Sequence, residues 1–269
     1  MTPIADEKYL TIITDALSVC LQYRPKFGQR KQLGLSLSEF QSLYDADPFY
    51  SWFGLGSPLM YAAHKAAGGM TSVYRQIGVG CERLVLEIVK DQLGLSEQDV
   101  GWSYTIKLSR KREQRLSLDG RISIETIGKS EAGQRVSEWL KLSADDLKLP
   151  KESRAGLQGA VFEIRQGYKS KDSKRQNADV ANASNAYAHR YIPVVLLLSS
   201  QINEDIAERY GRARWLLLRG TTDGSTLESS YVFMSEVVGY DLADFFRRNS
   251  ETLRDKIESV LLRKLLGET

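Results

Sequence analysis

Residues 159–200 read GAVFEIRQGYKSKDSKRQNADVANASNAYAHRYIPVVLLLSS. Ala160, Val161 and Phe162 form a short apolar run that leads into a carboxylate, Glu163. Lys169, Lys171, Lys174 and Arg175 then fall within seven residues, with Gln176, Asn177 and Asp179 interleaved. An Ala/Asn-rich segment of helical character follows, and then a second apolar run, Ile192 to Leu198. The order predicts strand, basic loop, helix and buried strand. It sets an acid at the end of a core strand, beside side chains suited to phosphates and base edges.

The rest of the composition bounds what surrounds this stretch. The chain has 269 residues, 42% apolar and 26% charged, ordinary values for a soluble globular protein that needs no staples. Cys20 and Cys81 are far apart and form no CxxC pattern. A reduced, cytoplasmic setting is the expectation, and a cysteine-based zinc site is not. The N-terminus MTPIADEKYL lacks the basic and apolar regions of a signal peptide, and the apolar runs are too short for a membrane span. Net charge is only +3, but it hides two basic clusters: Arg110-Lys111-Arg112 with Arg115, and the 169–175 run. Local patches on a near-neutral chain fit an anionic partner bound on one face.

Upstream, residues 5–22 have helical spacing in Leu10, Ile13, Leu17 and Cys20. Residues 24–36 read as a loop, and Ser36 or Ser38 as the cap of a short helix. The aromatic segment DPFYSWFGLG (47–56) predicts a core anchor beneath a loop, with a base-stacking platform as the alternative. A helix starts at Ser57-Pro58 and is expected to stop at Gly68-Gly69; a second runs over 74–95 with Glu82 in its first turns. His64 and His189 are isolated and form no histidine centre. Residues 102–127 alternate, and Asp119-Gly120 predicts the turn of a hairpin. Residues 128–158 read as an insertion with one helix, Asp145 and Asp146 being capping or surface acids. Beyond residue 200 a helix, a short strand near 213–219, a further strand or edge at 231–238, and one or two helices over 241–266 are expected.

Asp119 and Glu163 would form a carboxylate pair able to bind a hard divalent cation such as Mg²⁺. Lysine or arginine beside them would orient water and stabilise charge on phosphorus. Asp119, the run Glu163-Ile164-Arg165 and the Lys/Arg/Gln/Asn-rich segment after it resemble the PD-(D/E)XK nuclease superfamily, and within it the type II restriction endonucleases. The likeness covers roughly residues 75–200 and rests on short motifs.

This resemblance implies an α/β (α+β-like) fold: a central mixed β-sheet flanked by helices, with an αβββαβ core and helical additions at both ends. It implies one nuclease domain, with a helical part over 1–73, a catalytic core over 74–220 and a C-terminal helical part over 221–269. The implied catalytic residues are Asp119, Glu163, Arg165 and Lys169, and the implied metal ligands Asp119, Glu163 and Glu82. Position 165 carries arginine where the family carries lysine, so Arg165, Lys169 or Lys171 would fill that role. Lys169, Lys171, Lys174, Arg175, Gln176 and Asn177 would contact DNA. The expected activity is Mg²⁺-dependent cleavage of double-stranded DNA at a specific site by a homodimer. The alternatives are a nucleic-acid-binding protein on the same fold without chemistry, and an unrelated α/β enzyme or interaction domain.

Overall fold

The computed structural model describes residues 3–22, 24–25, 34–109, 112–167 and 182–266. The chain is mixed α/β and divides into two compact units, residues 1–83 with 248–269, and residues 84–247. No helix among the described residues is long and apolar enough to cross a membrane.

The first unit is helical. Helix α1 (Pro3–Ser18) runs into a 3₁₀ turn (Val19–Gln22), and α2 (Leu37–Asp45) opens on Ser36. Ser36 Oγ accepts from the Glu39 N–H and the Glu39 carboxylate accepts from the Ser36 N–H at 2.8 Å, a capping box. A short α3 (Pro48–Trp52) follows, and then α4 (Pro58–Leu93).

Two expectations fail in this unit. Helix α4 does not stop at Gly68-Gly69. Neither glycine takes the left-handed conformation a cap requires, whereas Gly94, at φ +65°, does and closes the helix. A mid-helix glycine costs only about 1 kcal/mol against alanine, which the good helix formers around it absorb. Trp52 and Phe53 of the 47–56 segment do not anchor the core either, being 81% and 67% exposed. Phe40 and Tyr61 fill that role, with the Tyr61 hydroxyl donating to the Leu35 carbonyl at 2.8 Å.

The second unit carries the sheets. After α5 (Glu97–Val100), strands β1 (Trp102–Ser109) and β2 (Arg112–Leu118) pair antiparallel, Ser109 opposite Arg112. The β1–β2 ladder therefore ends at the Ser109–Arg112 pair, and Asp119 is not its turn. Asp119 is the joint at which the chain leaves β2 and enters β3 (Gly120–Ser123), the edge of a separate four-stranded sheet. In that sheet β3 pairs antiparallel with β4 (Gly159–Arg165), and β4 and β5 (Tyr191–Leu197) and then β6 (Leu216–Leu218) pair in parallel. Residues 182–188, here α9, lie in the crossover that a parallel pair demands.

Between β3 and β4 come α6 (Ile124–Ile127), α7 (Glu131–Asp146) and α8 (Lys151–Ala155). The 128–158 segment packs on the core: Trp139 of α7 lies against Phe162 and Phe233 with ring centroids 6.4 and 4.7 Å away. Ser130 caps α7, while Asp145 and Asp146 fall in its last turn and Asp145 pairs with Arg154. Helix α10 (Glu204–Arg212) precedes β6. Residues 231–238 form no strand. They continue α11 (Ser230–Val232) into a π-helix (Phe233–Val238) that buries Phe233, Met234, Val237 and Val238, a helical spacing. Helices α12 (Leu242–Arg248) and α13 (Ser250–Leu266) break near Asn249, as expected.

Every residue of β5 is buried, because both faces of the sheet are covered. Phe162, Ile164 and Leu196 face Val85, Val89 and Phe233 on one side. Val161, Val195 and Leu197 pack on the other with Ala183 and Ala186 of α9, Ile206 and Tyr210 of α10, and Trp102, Tyr104 and Leu118 of the hairpin. Gly159 permits the β3–β4 approach, since a Cβ there would overlap the Ile122 carbonyl oxygen.

Candidate active site

Strand β4 alternates as a strand must, so Val161, Glu163 and Arg165 share one face while Phe162 and Ile164 share the other. Glu163 is only 4% exposed. A buried carboxylate requires a partner, and the Arg165 guanidinium two residues on supplies it through Nη2. Asp119 reaches the same guanidinium from the β2–β3 joint, its Oδ2 lying 3.4 Å from Arg165 Nη1.

The joint itself explains why Asp119 points there. Its N–H donates to the Phe162 carbonyl at 2.9 Å, continuing the β3–β4 ladder by one rung. The next rung lacks a backbone acceptor, because the chain has turned away into β2. Asp119 Oδ2 takes that place and accepts the Ile164 N–H at 2.7 Å. The carboxylate thus acts as a strand cap and is delivered to the carboxyl end of β4. Ends of parallel strands are where α/β sheets place their ligands.

Asp119, Glu163 and Arg165 therefore converge although residues 119 and 163 are far apart in sequence. The cluster carries a formal charge of −1. Arg165 is more than a structural counter-ion by one measure: its Nε is buried and has no acceptor among the described residues. A donor left in that state costs roughly 1–3 kcal/mol and points to a site built for an anion or water.

The donor set fits Mg²⁺. Two hard carboxylates already face one cationic group and leave the cluster negative, and Mg²⁺ uses one or two carboxylates and keeps its remaining waters. Among the described residues no group of three or more His, Cys, Asp or Glu could hold a metal ion, so the described residues supply at most that pair there. Glu82 lies in the first unit, half-buried on α4. Lys169, Lys171, Lys174, Arg175, Gln176 and Asn177 lie outside the described residues; β4 ends at Arg165, before any of them.

Helix α9 and the hairpin supply further polar groups of the second unit, of which Asn182 and Ser103 were not singled out in the sequence. Asn182 is 7% exposed and its Oδ1 accepts from the Tyr104 hydroxyl. Burial raises the Tyr104 phenol above its usual pKa, against a lowering hydrogen bond with Asn185. His189 lies past α9, its Nδ1 2.8 Å from the Asn185 carbonyl and its ring edge-on to Trp102, a packing role. Arg115 and Ser103 stand on the hairpin's outward face. The two-residue period leading back from Asp119 through Ser117 to Arg115 was the sequence signal for them. No family model, curated protein or solved structure matches the chain.

Proposed function

We propose that the chain is a Mg²⁺-dependent nuclease on a restriction-endonuclease-like core, acting on double-stranded DNA at specific sites as a homodimer. The observation that carries this reading is the convergence of Asp119 and Glu163 on one cationic position at the carboxyl end of β4. Asp119 and Glu163 would hold the metal. When bound, Mg²⁺ polarises a phosphodiester and lowers the pKa of a water. Asp119 is oriented by the Ile164 N–H and so presents its carboxylate without a search over rotamers. Arg165 neutralises part of the acidic charge and offers a guanidinium to the oxygens of the phosphodiester, a fixed charge where charge develops. Arginine here keeps the charge of the family's lysine but cannot surrender a proton. Proton removal from water would then fall to another group, and Lys169 and Lys171 stand nearest in sequence. A two-fold dimer would set one such centre against each strand of a palindrome.

One observation favours a second reading. Arg165 pairs with both carboxylates at once, the place a metal would take. A protein that binds DNA without cutting it would be content with that arrangement. Incubation with supercoiled plasmid separates the two. The nuclease reading expects discrete fragments with Mg²⁺ and none with EDTA, and shared end sequences would give the site. Tight, salt-dependent binding without fragments under any divalent metal would replace it with the second.

A further inference from the structure

A groove of about 670 Å³ runs along the outward face of the hairpin, walled by Gln98, Ser103, Arg115 and Ser117, with Asp119 at its end. The antiparallel register explains its polarity. Trp102 pairs with Leu118 and Tyr104 with Leu116 toward the core, which turns Ser103, opposite Ser117, and Thr105, opposite Arg115, to the outside. Arg115 is held there: its Nε and Nη2 both donate to Ser103 Oγ, at 3.0 and 2.7 Å. Asp119 lies four residue steps beyond Arg115, roughly 13 Å along an extended chain. Among the described residues that line the groove, Arg115 is the single cation and Asp119 the single anion.

From this we infer that the groove seats the backbone of one DNA strand, with Arg115 bound to a phosphate a few nucleotides from the one presented to Asp119 and Glu163. The inference rests on the nuclease reading and names the path by which its substrate enters. An anchored guanidinium flanked by serine hydroxyls and a glutamine amide is the donor set that grips phosphates without reading bases. The groove opens to solvent, as access for a continuous strand requires. Gln98 is fixed at its rim, because Arg121 Nε donates to the Asp99 carbonyl at 3.0 Å and ties α5 to β3. Phosphate binding at Arg115 sets the position of the strand, so it affects affinity for every sequence alike.

The test is equilibrium binding of a short fluorescein-labelled duplex in EDTA, read by anisotropy across KCl concentrations, for the wild type, Arg115→Gln, Arg115→Lys and Asp119→Asn. Arg115→Gln should weaken binding roughly 3- to 10-fold near 0.1 M salt and reduce the slope of log K against log[salt] by about 0.9, the value for one lost phosphate contact. Arg115→Lys should restore the slope, which a purely structural role for Arg115 would not predict. Asp119→Asn should bind at least as tightly as wild type and cut nothing with Mg²⁺. An unchanged slope in Arg115→Gln, with a wild type that binds and cuts, overturns the groove and leaves the nuclease reading standing. A wild type that neither binds the duplex nor cuts it overturns both.

Discussion

Replacing Arg165 by methionine removes a group that touches both carboxylates, and their burial sets the cost. Side-chain exposures are 6% for Glu163, 17% for Arg165 and 19% for Asp119. Breaking a buried pair from one side costs about 3–5 kcal/mol, because the remaining charge stays out of water without compensation. Asp119 keeps the Ile164 N–H and some solvent, which places the expected loss at the lower end, about 3 kcal/mol. For a unit of this size that corresponds to a Tm lower by roughly 6–12 °C. Removing the stranded charge as well, in Glu163→Gln/Arg165→Met, should recover at least half of the loss. Urea unfolding followed by tryptophan fluorescence suits the assay: Trp102, Trp139 and Trp215 all lie in the second unit and are buried, and only Trp52 lies in the first. A single variant within about 1 kcal/mol of wild type, or a double variant as unstable as the single, would refute the argument that Arg165 holds a buried carboxylate pair.

Two further outcomes follow from the packing. Gly159→Ala should cost roughly 2–3 kcal/mol in the same urea assay, since its Cβ would overlap the Ile122 carbonyl and push β3 from β4; an unaffected midpoint would contradict that register. Burial pushes the Cys81 thiol up from 9.0 to about 12. Its folded pKa is raised, so its share of stability is intact below pH ~9 and is lost as pH rises toward 12, at most roughly 1.4 kcal/mol per pH unit. Cys81→Ala, less stable at pH 8 through lost packing, should therefore close the gap to wild type between pH 9 and 11; a constant gap would refute it.

Much of the fold was legible because hydrophobic period is a local signal. The strands at 159–165 and near 192–198, the helix over 5–22, the Ser36 cap and the break near Asn249 each rest on neighbours within a turn or a few residues. What was misread depends on tertiary choices. Asp119-Gly120 has the composition of a hairpin turn, but a turn pair cannot show that β2 and β3 belong to different sheets. Gly68-Gly69 looks like a stop, yet a helix passes through glycines unless one adopts positive φ. Residues 231–238 are apolar enough for a strand, and only their burial spacing shows a helix.

The site was legible in part for a related reason. Glu163 and Arg165 lie two apart on a strand, so their shared face follows from the sequence. The contact of Asp119 with Arg165 depends on a side chain replacing a missing ladder acceptor at Ile164, which no spacing encodes. Arg115 sat in plain view within a basic cluster, but its anchoring on Ser103 needs the hairpin register.

The most direct measurement is cleavage of plasmid DNA with Mg²⁺ by Glu163→Gln beside the wild type, with duplex binding measured on the same preparations. Glu163→Gln keeps the shape of the side chain and removes the charge that would hold the metal. The account predicts that cutting is abolished while DNA binding persists. Cutting by Glu163→Gln at the wild-type rate would contradict it.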